Sequence, residues 1–475
     1  MNKQLITALA LATSVFVSGC AMLEPRVPQA DAAIPAEWPL PPVTSAGADA
    51  LPPQATADGL EAADIGWRDF FADPRLEELV GQALDNNRDL RIAILNVERA
   101  RAQYRIQRAD RLPSVGANAT LERTGGDAPV QDLYTAGVGL AAFELDLFGR
   151  VRNLSQAALQ QFLATEESRR AAQLGLIAEV ANAWLSLAAD RELLDIAEQT
   201  LRNYEEWFQL TRQRHELGAV SGLELNQART LVETARADVA RYAGQVARDE
   251  NALNLLVGQP VDPALLPDRF LPQVSGLAPL PAGLPAEVLL RRPDVMAAEH
   301  RLLAANANIG AARAAFFPSI SLTGMVGSAS TELSGLFESG TDFWSFSPQI
   351  NIPIFQGGRL RAALGMAHAD REIALADYEG AIQAGFREVA DALALSSTLA
   401  RQRSALEDLV EASQNTLELS QARYDAGLVS YLELLDAQRT HYQAQQSLVQ
   451  VQLAEQANRV TLYRVLGGGW TERTP

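Results

Sequence analysis

The sequence predicts a mixed α/β fold in which long helices carry four β-strands that contribute to a transmembrane barrel. Three observations predict this class. The second half of the chain repeats the first, each repeat holds two segments of alternating polarity, and each holds a very long stretch without proline. Alternation with a period of two is typical of strands, whereas proline removes a helical donor and ends helices.

The chain begins with a segment that predicts a signal peptide at residues 1–19. Lys3 supplies its positive charge, and the apolar run 5–17 is too short to span a bilayer. Cys20, the only cysteine, follows small residues as in a bacterial lipobox, which predicts a covalent lipid there and excludes a disulfide within the chain. Ala21, by resemblance to bacterial lipoproteins, favours the outer membrane. The alternative is an ordinary signal peptide with an incidental cysteine.

The chain is acidic, with 58 acidic and 40 basic residues and a formal net charge of -18. This balance argues against a nucleic-acid partner, which needs clustered Lys and Arg. The net negative charge is explained by solubility or, alternatively, by an acidic conduit that favours cations. No later apolar run reaches the about 18 residues of a transmembrane helix, so we expect strands to make any membrane crossing.

Two proline-rich segments predict the domain organisation. Residues 20–58 cannot continue a helix and predict an extended tether between the lipid anchor and the folded body. Residues 259–285 predict an irregular linker between the repeats. The first repeat then occupies residues 59–258, the second occupies 286–467, and 468–475 form a C-terminal tail.

Matching segments at a constant separation reveal the internal duplication. Residues 179–183 (EVANA) match residues 388–392 (EVADA). The same separation aligns Arg214, Gly218, Val220 and Ser221 with Arg423, Gly427, Val429 and Ser430. Each repeat therefore has the same predicted order of helix, β-hairpin, long helix, turn and helix.

The elements follow from periodicity and from the positions of proline. First helices are expected at about 76–111 and 286–316, long helices at 150–217 and 359–426, and closing helices that end near 257 and 466. Alternating residues predict the strands: Val115, Ala117, Ala119, Leu121, Val138 and Leu140 in the first repeat, and Ile320, Leu322, Val326, Ile350, Ile352 and Ile354 in the second. Each long helix would extend about 100 Å.

Four strands of about ten residues suit a transmembrane barrel. Four strands cannot close, and open edges are not tolerated in lipid, so copies of the chain would share one barrel. Two copies would give eight strands and a filled interior, whereas three would give twelve and leave a lumen. A soluble four-stranded sheet is the alternative. Phe343, Trp344, Phe346 and Tyr134 predict either an aromatic girdle at the outer strand ends or simple strand packing.

Four motifs are distinctive. They are Arg292-Pro293-Asp294-Val295, Phe317-Pro318-Ser319-Ile320-Ser321-Leu322, Leu434-Leu435-Asp436-Ala437-Gln438-Arg439 and Leu466-Gly467-Gly468-Gly469-Trp470. Together they resemble the outer-membrane efflux factor family of TolC- and OprM-like ducts, closest to its lipoprotein, NodT-type branch. The resemblance covers the mature chain and implies a homotrimer whose twelve-stranded barrel continues into a helical periplasmic tunnel. It also implies a periplasmic membrane-fusion adaptor and an inner-membrane RND-type transporter as partners.

The turns between the long and closing helices are candidate tips of the tunnel. Their shared residues are Arg214, Gly218, Val220 and Ser221 in the first repeat, and Arg423, Gly427, Val429 and Ser430 in the second. Glycine permits the left-handed conformation that ends a helix, and serine can cap the next one. Local structure does not explain the repeated arginine, and the resemblance implies that these tips dock the adaptor.

Leu432, Asp436 and Arg439 predict a periplasmic gate. Their spacing places them on one face of the closing helix. The alternative is an intrahelical Asp–Arg pair, worth a few tenths of a kcal/mol. The resemblance implies that a trimer gathers these residues into the constriction. Gln227 and Thr230 stand at the positions that match Asp436 and Arg439 in the first repeat, so only one hairpin carries the charges.

The sequence predicts no enzyme and no cofactor beyond the lipid on Cys20. The four histidines lie in separate helical contexts without metal-ligand spacing, and there is no nucleophile elbow or phosphate loop. The resemblance implies a passive exit channel for drugs or other small molecules. A type I protein-secretion duct and a non-transporting envelope scaffold are the alternatives, although a scaffold needs no strands.

Overall fold

The computed structural model describes residues 23–35, 38, 64–127, 129–270 and 286–474. The predicted signal peptide, the lipidation site Cys20 and most of the tether lie outside the described residues. The helices are α1 Trp67–Phe70, α2 Pro74–Asn86, α3 Arg88–Ala109, α4 Arg150–Glu216, α5 Gly222–Val257, α6 Pro293–Ala314, α7 Arg359–Asp425 and α8 Tyr431–Val465. The strands are β1 Val115–Thr124, β2 Gln131–Leu145, β3 Ser319–Ser330 and β4 Asp342–Asn351. Short 3₁₀ turns occur at Pro263–Leu265, Ala286–Arg291 and Leu333–Gly335.

The long helices α4 and α7 match their predicted bounds to within a residue. Each has 67 residues, which corresponds to about 100 Å of helix. One 18-residue window of α4 is long and apolar enough to cross a membrane by length and composition, which the sequence analysis did not anticipate. Because 56% of that window is buried within the chain, and Trp184 and Leu185 are fully enclosed, we assign it to the helical core.

The first predicted helix of each repeat starts differently from the expectation. The helix predicted at 76–111 is two helices, because Asn87 adopts an extended conformation between α2 and α3. Its side-chain oxygen accepts the Leu90 amide at 2.9 Å and caps α3, and its amide nitrogen donates to the Leu256 carbonyl at 2.8 Å. The helix predicted from 286 begins at Pro293, a residue favoured in the first helical turn, after a 3₁₀ turn.

The described chain divides into two compact units, and each draws on both repeats. One includes Leu95–Glu167 and Met296–Ala381 and holds the whole sheet. The other includes Ser168–Val295 and Ile382–Pro475 and holds α5, α8 and the turns that precede them. The sequence repeats are therefore not separate compact bodies, because elements of the two repeats pack together in each unit.

The four strands form one antiparallel sheet in the order β1-β2-β3-β4. Val115 pairs with Leu140, Tyr134 pairs with Ser330, and Ser319 pairs with Asn351. The strand predicted from Ile350, Ile352 and Ile354 ends at Asn351, so the last two of these residues lie beyond it. Within the described residues, β1 and β4 are the edge strands of this sheet.

A β-bulge interrupts β2 between Leu140 and Phe143. From Tyr134 to Leu140 the apolar residues occupy even positions, and after the bulge they occupy odd positions, at Phe143 and Leu145. The extra residue moves the alternation by one position, so both halves of the strand turn their apolar side chains to the same face. Ala142 adopts the left-handed conformation there, with φ at 47°, and its amide donates to the Thr323 hydroxyl at 3.2 Å.

Candidate functional site

One face of the sheet is apolar over most of its length. Residues directly opposed in antiparallel strands point to the same face, so the register assigns each side chain. This apolar face carries Val115, Ala117, Ala119, Leu121, Tyr134, Ala136, Val138, Leu140, Phe143, Leu145, Ile320, Leu322, Val326, Trp344, Phe346, Pro348 and Ile350. In the single chain Val326 is 69% exposed and Trp344 is 77% exposed. A continuous apolar surface of this kind is unfavourable in water. The hydrocarbon of a bilayer can shield it.

The apolar face ends in a charged pair near the β1–β2 turn. The Arg123 guanidinium donates to both carboxylate oxygens of Asp132, at 2.6 and 2.7 Å. This pair lies at the end of the hairpin that is farther along the strands from the helices. A paired charge at that position is compatible with a membrane–water boundary, where long polar side chains reach water.

The opposite face is mostly polar and rich in small residues. It carries Gly116, Asn118, Thr120, Glu122, Thr135, Gly137, Gly139, Ser321, Thr323, Gly327, Ser345, Ser347 and Gln349. A Cβ on Gly327 would overlap the Ala136 carbonyl oxygen, and one on Gly139 would overlap the Gly324 carbonyl oxygen. Strands β2 and β3 therefore approach more closely than larger residues would allow, as at the tight bends of a barrel.

The predicted aromatic girdle is wrong for one of its four residues. Trp344, Phe346 and Tyr134 lie on the apolar face, but Phe343 is opposite Gly327 on the polar face. Neighbouring residues of a strand point to opposite faces, so Phe343 and Trp344 cannot share one girdle. The alternation of strand residues alone already predicts that Phe343 and Trp344 lie on opposite faces, and the register of β3 and β4 confirms it.

Both edges of the sheet are long and unpaired in the single chain. The edge strands β1 and β4 have ten residues each, and neither has a second neighbour within the described part of the chain. An exposed strand edge is a template for another strand, and open edges are not tolerated in the hydrocarbon of a bilayer. The sheet is therefore incomplete as a membrane structure in one copy.

The two predicted tip turns have the same backbone and different side-chain contacts. Gly218 and Gly427 adopt the left-handed conformation, with φ at 73° and 72°. The Ser221 hydroxyl accepts the Glu224 amide at 3.2 Å and caps α5, whereas Ser430 makes no side-chain cap. The predicted capping role therefore holds for the first serine only.

The repeated arginines of the tips also differ. Arg423 pairs with Glu433 at 3.2 Å, whereas Arg214 hydrogen-bonds to Tyr424. Val220 and Val429 are half-buried. Around them the tips present exposed leucines: Leu217 at 85%, Leu223 at 70%, Leu428 at 71% and Leu432 at 61%. The turns therefore offer apolar side chains to water, which is typical of a surface that binds another protein.

A hydrogen-bonded aromatic cluster connects the helical hairpins beside the tips, and the sequence analysis missed it. The Tyr424 hydroxyl donates to Glu224 Oε1 at 2.5 Å, and the Trp207 ring stacks on Tyr431 with centroids 6.1 Å apart. Burial and the Glu224 carboxylate raise the pKa of Tyr424 to about 12, so it remains a donor at neutral pH. The sequence held one sign of this cluster: Tyr424 and Tyr431 occur in the second repeat only, because His215 and Gly222 stand at the matching positions of the first.

The predicted gate residues share an exposed face of α8. Leu432, Asp436 and Arg439 are all exposed, whereas Leu434 and Leu435 are buried in the core. Within the part of the chain that the structure describes, Asp436 and Arg439 do not form the intrahelical ion pair that was their alternative explanation. Both charged side chains are therefore exposed on this face of α8.

Three of the four histidines each contact a different polar group. His215 contacts the Val220 carbonyl at 3.0 Å, His300 contacts Gln160 at 2.7 Å, and His441 contacts the Ser413 hydroxyl at 3.0 Å. Burial lowers the pKa of His441. Among the described residues there is no group of three His, Cys, Asp or Glu side chains placed to hold a metal ion.

A sheet with one apolar face, one polar face and two unpaired edges is what one chain contributes to a membrane channel that several chains build together. The family profile described as "Outer membrane efflux protein" matches residues 79–259 and 284–468, and the chain belongs to this family. This assignment confirms the predicted family, the outer-membrane location and the role in efflux.

Individual relatives are similar over the whole chain. The toluene efflux pump outer membrane protein TtgC of Pseudomonas putida is 46% identical over 483 residues, which cover 100% of this chain and 97% of that protein. Outer membrane protein OprJ of Pseudomonas aeruginosa is 44% identical over 484 residues, which cover 99% and 98%. The crystal structure of the open MtrE outer membrane channel of Neisseria gonorrhoeae is 40% identical with a TM-score of 0.85, over 96% of this chain and 100% of that one.

Proposed function

We propose that this chain is the exit channel of a tripartite, RND-type efflux system and conducts drugs or other small molecules passively. The observation that carries the proposal is the sheet, with its apolar face, its polar face and two unpaired edges. An apolar outside and a polar inside are what a water-filled membrane barrel requires. The channel has no energy source of its own, so the inner-membrane transporter would supply the driving force.

The two edges support a homotrimer. In a closed ring, β1 of one copy pairs with β4 of the next, so every backbone group finds a partner. Three copies give twelve strands, and a barrel of that size leaves a lumen that eight strands would fill with side chains. The same ring places the apolar face against outer-membrane lipid and the polar face around the lumen.

The helical tips support the proposed partners. Each tip lies one 67-residue helix along the chain from the strands, which suits a tunnel that reaches into the periplasm. The exposed leucines around Gly218 and Gly427 would dock the membrane-fusion adaptor. In a trimer, Leu432, Asp436 and Arg439 would each form a ring of three at the gate. Tip opening would shift the helical hairpins against each other, and the adaptor would stabilise the open arrangement.

The N-terminal strap, residues 23–25, supports lipid anchoring at Cys20. Asn306 donates to the Pro25 carbonyl at 2.8 Å, and Arg313 donates to the Leu23 carbonyl at 3.1 Å. Both donors lie on α6, which ends shortly before β3 begins. The strap therefore starts beside the strands, where a lipid on Cys20 would reach the membrane surface.

Accumulation of a fluorescent pump substrate tests the proposed function. We expect deletion of the gene to raise accumulation and the wild-type gene to restore it. A Leu217→Ser/Leu428→Ser variant should fail to restore it because the tips lose their apolar contact, whereas the matched Leu217→Met/Leu428→Met variant should restore it. Unchanged accumulation on deletion would contradict drug efflux and favour protein secretion or another cargo.

A further inference from the structure

The polar face of the sheet carries three large apolar side chains, Leu133 opposite Glu122 near the β1–β2 turn, and Met325 and Phe343 farther from that turn. Met325 pairs with Gly139 and Phe343 pairs with Gly327, so both point to the polar face. Their cross-strand rows otherwise contain only glycine, serine and asparagine, without a charged residue. The apolar residues that suit lipid are on the other face. Contact with lipid therefore does not explain why Met325 and Phe343 are apolar.

Met325 and Phe343 are close neighbours. Met325 pairs with Ser345, two residues from Phe343, and diagonal neighbours of this kind lie about 7–8 Å apart. A Cβ on Gly137 would come within 2.7 Å of the Met325 methyl carbon, so this methyl group lies over a glycine. Both side chains are half-buried, whereas Trp344 on the other face is 77% exposed. The surrounding glycines leave them as one apolar patch.

We propose that Met325 and Phe343 form an apolar contact site on the lumen wall for solutes with aromatic or aliphatic surface. The proposal rests on the shared barrel described above, in which three copies repeat the patch around the lumen. Phenylalanine offers a flat ring, and methionine adapts its shape to different partners. The adjacent polar residues remain hydrated, so a solute loses water mainly where it covers these two side chains.

Cysteine accessibility tests the placement of the site. The chain has one cysteine, Cys20, so the unsubstituted chain is the blank. In proteoliposomes, Phe343→Cys should react with a charged, membrane-impermeant thiol reagent and the channel current should fall. The matched Trp344→Cys should react at least tenfold more slowly and keep its current. The reverse pattern would overturn the placement.

Block of the channel current by two organic cations tests the role of the site. Tetraphenylphosphonium is aromatic, whereas tetraethylammonium has the same charge with less apolar surface. We expect the aromatic cation to block the wild-type channel more strongly, and Phe343→Ser and Met325→Ser each to weaken that block at least fivefold. Tetraethylammonium block and a Trp344→Ser channel should show little change.

The outcomes separate the site from the channel function. A conducting channel in which Phe343→Ser and Met325→Ser leave tetraphenylphosphonium block unchanged would overturn the contact site and retain the pore. If the wild type does not conduct and Tyr424→Phe, which removes the link between the helical hairpins, does not conduct either, the shared barrel itself is contradicted, and the contact site is contradicted with it.

Discussion

At the scale of single residues, two carboxyl groups come together where α4 and α5 pack. Asp190 of α4 and Asp249 of α5 are hydrogen-bonded, and Asp249 Oδ2 is buried without another donor. Gln245 donates to the other oxygen of Asp249 at 3.0 Å. Burial and the Asp249 carboxylate raise the pKa of Asp190 to about 7. A protonated Asp190 supplies the donor that Asp249 otherwise lacks.

This pair predicts a pH dependence of stability. An aspartate in the unfolded chain ionises near pH 4, whereas folded Asp190 keeps its proton to about pH 7. The folded state therefore loses stability as pH rises through this window and levels off above it. Between about pH 5 and pH 7.5 the melting temperature of the wild type should fall as pH rises. We expect this fall to be smaller by a few degrees in Asp190→Asn. Thermal unfolding across this range checks it.

The control for this prediction is an exposed aspartate on the same helix. Asp195 accepts a hydrogen bond from Gln199 at 2.6 Å, and Asp195→Asn should keep the wild-type slope. The nearby Arg191–Glu250 ion pair, at 2.8 Å, remains intact in both variants. An Asp190→Asn slope equal to the wild-type slope would contradict the shared proton.

Sequence reasoning at this scale succeeded where a residue has a local reason for its identity. Gly218 and Gly427 were expected to be left-handed, and the backbone confirms both. It failed for Ser430, whose capping role depends on a side-chain rotamer that the motif does not fix. It did not find Asp190 and Asp249, because their contact joins two helices whose relative register no local pattern encodes.

At the scale of elements, the Tyr424–Glu224 hydrogen bond joins the two helical hairpins within one copy. A hydrogen bond to a charged group contributes about 1.5–3 kcal/mol. We expect Tyr424→Phe to remove this link and increase the single-channel conductance or open fraction about tenfold. Planar-bilayer recordings of the purified protein check the prediction, and an unchanged conductance and open fraction would contradict it.

A second tyrosine provides the matched control. Tyr442 donates to Asp238 at 3.1 Å between α8 and α5, farther from the tip turn. Tyr442→Phe removes the same hydroxyl group and should leave the conductance close to wild type. Equal conductance changes in the two variants would show that loss of helix stability, rather than release of the tips, explains the effect.

The elements themselves were predictable where a continuous pattern runs through them. The bounds of α4 and α7 follow from the absence of proline and from the glycines that precede each helix. The break at Asn87 was not predicted, because asparagine is compatible with a helix and its capping role depends on contact with Leu256. The bulge in β2 was visible as the change from even to odd apolar positions, but the predicted strand stopped at Leu140.

At the scale of the whole molecule, a closed barrel requires that copies of the chain complete one another. The duplication and the four strands were predictable from the sequence. That the sheet stays open in a single chain follows from the order β1-β2-β3-β4, which places the first and last strands at its edges. The gate and tip residues remain predictions at this scale, since their roles concern surfaces that face other chains. The domain boundaries remain predictions as well.

Disulfide cross-linking between β1 of one copy and β4 of another tests whether three chains share one barrel. Thr120→Cys would be combined in turn with Phe343→Cys, Ser345→Cys and Ser347→Cys, which sample the register between copies. We predict that at least one pair gives an oxidation ladder of two and three chains that ends at three. The matched pair of Thr135→Cys with Ser345→Cys should give no ladder, because β2 has strands on both sides. Single chains only, or a ladder that ends at two, would contradict the shared twelve-stranded barrel.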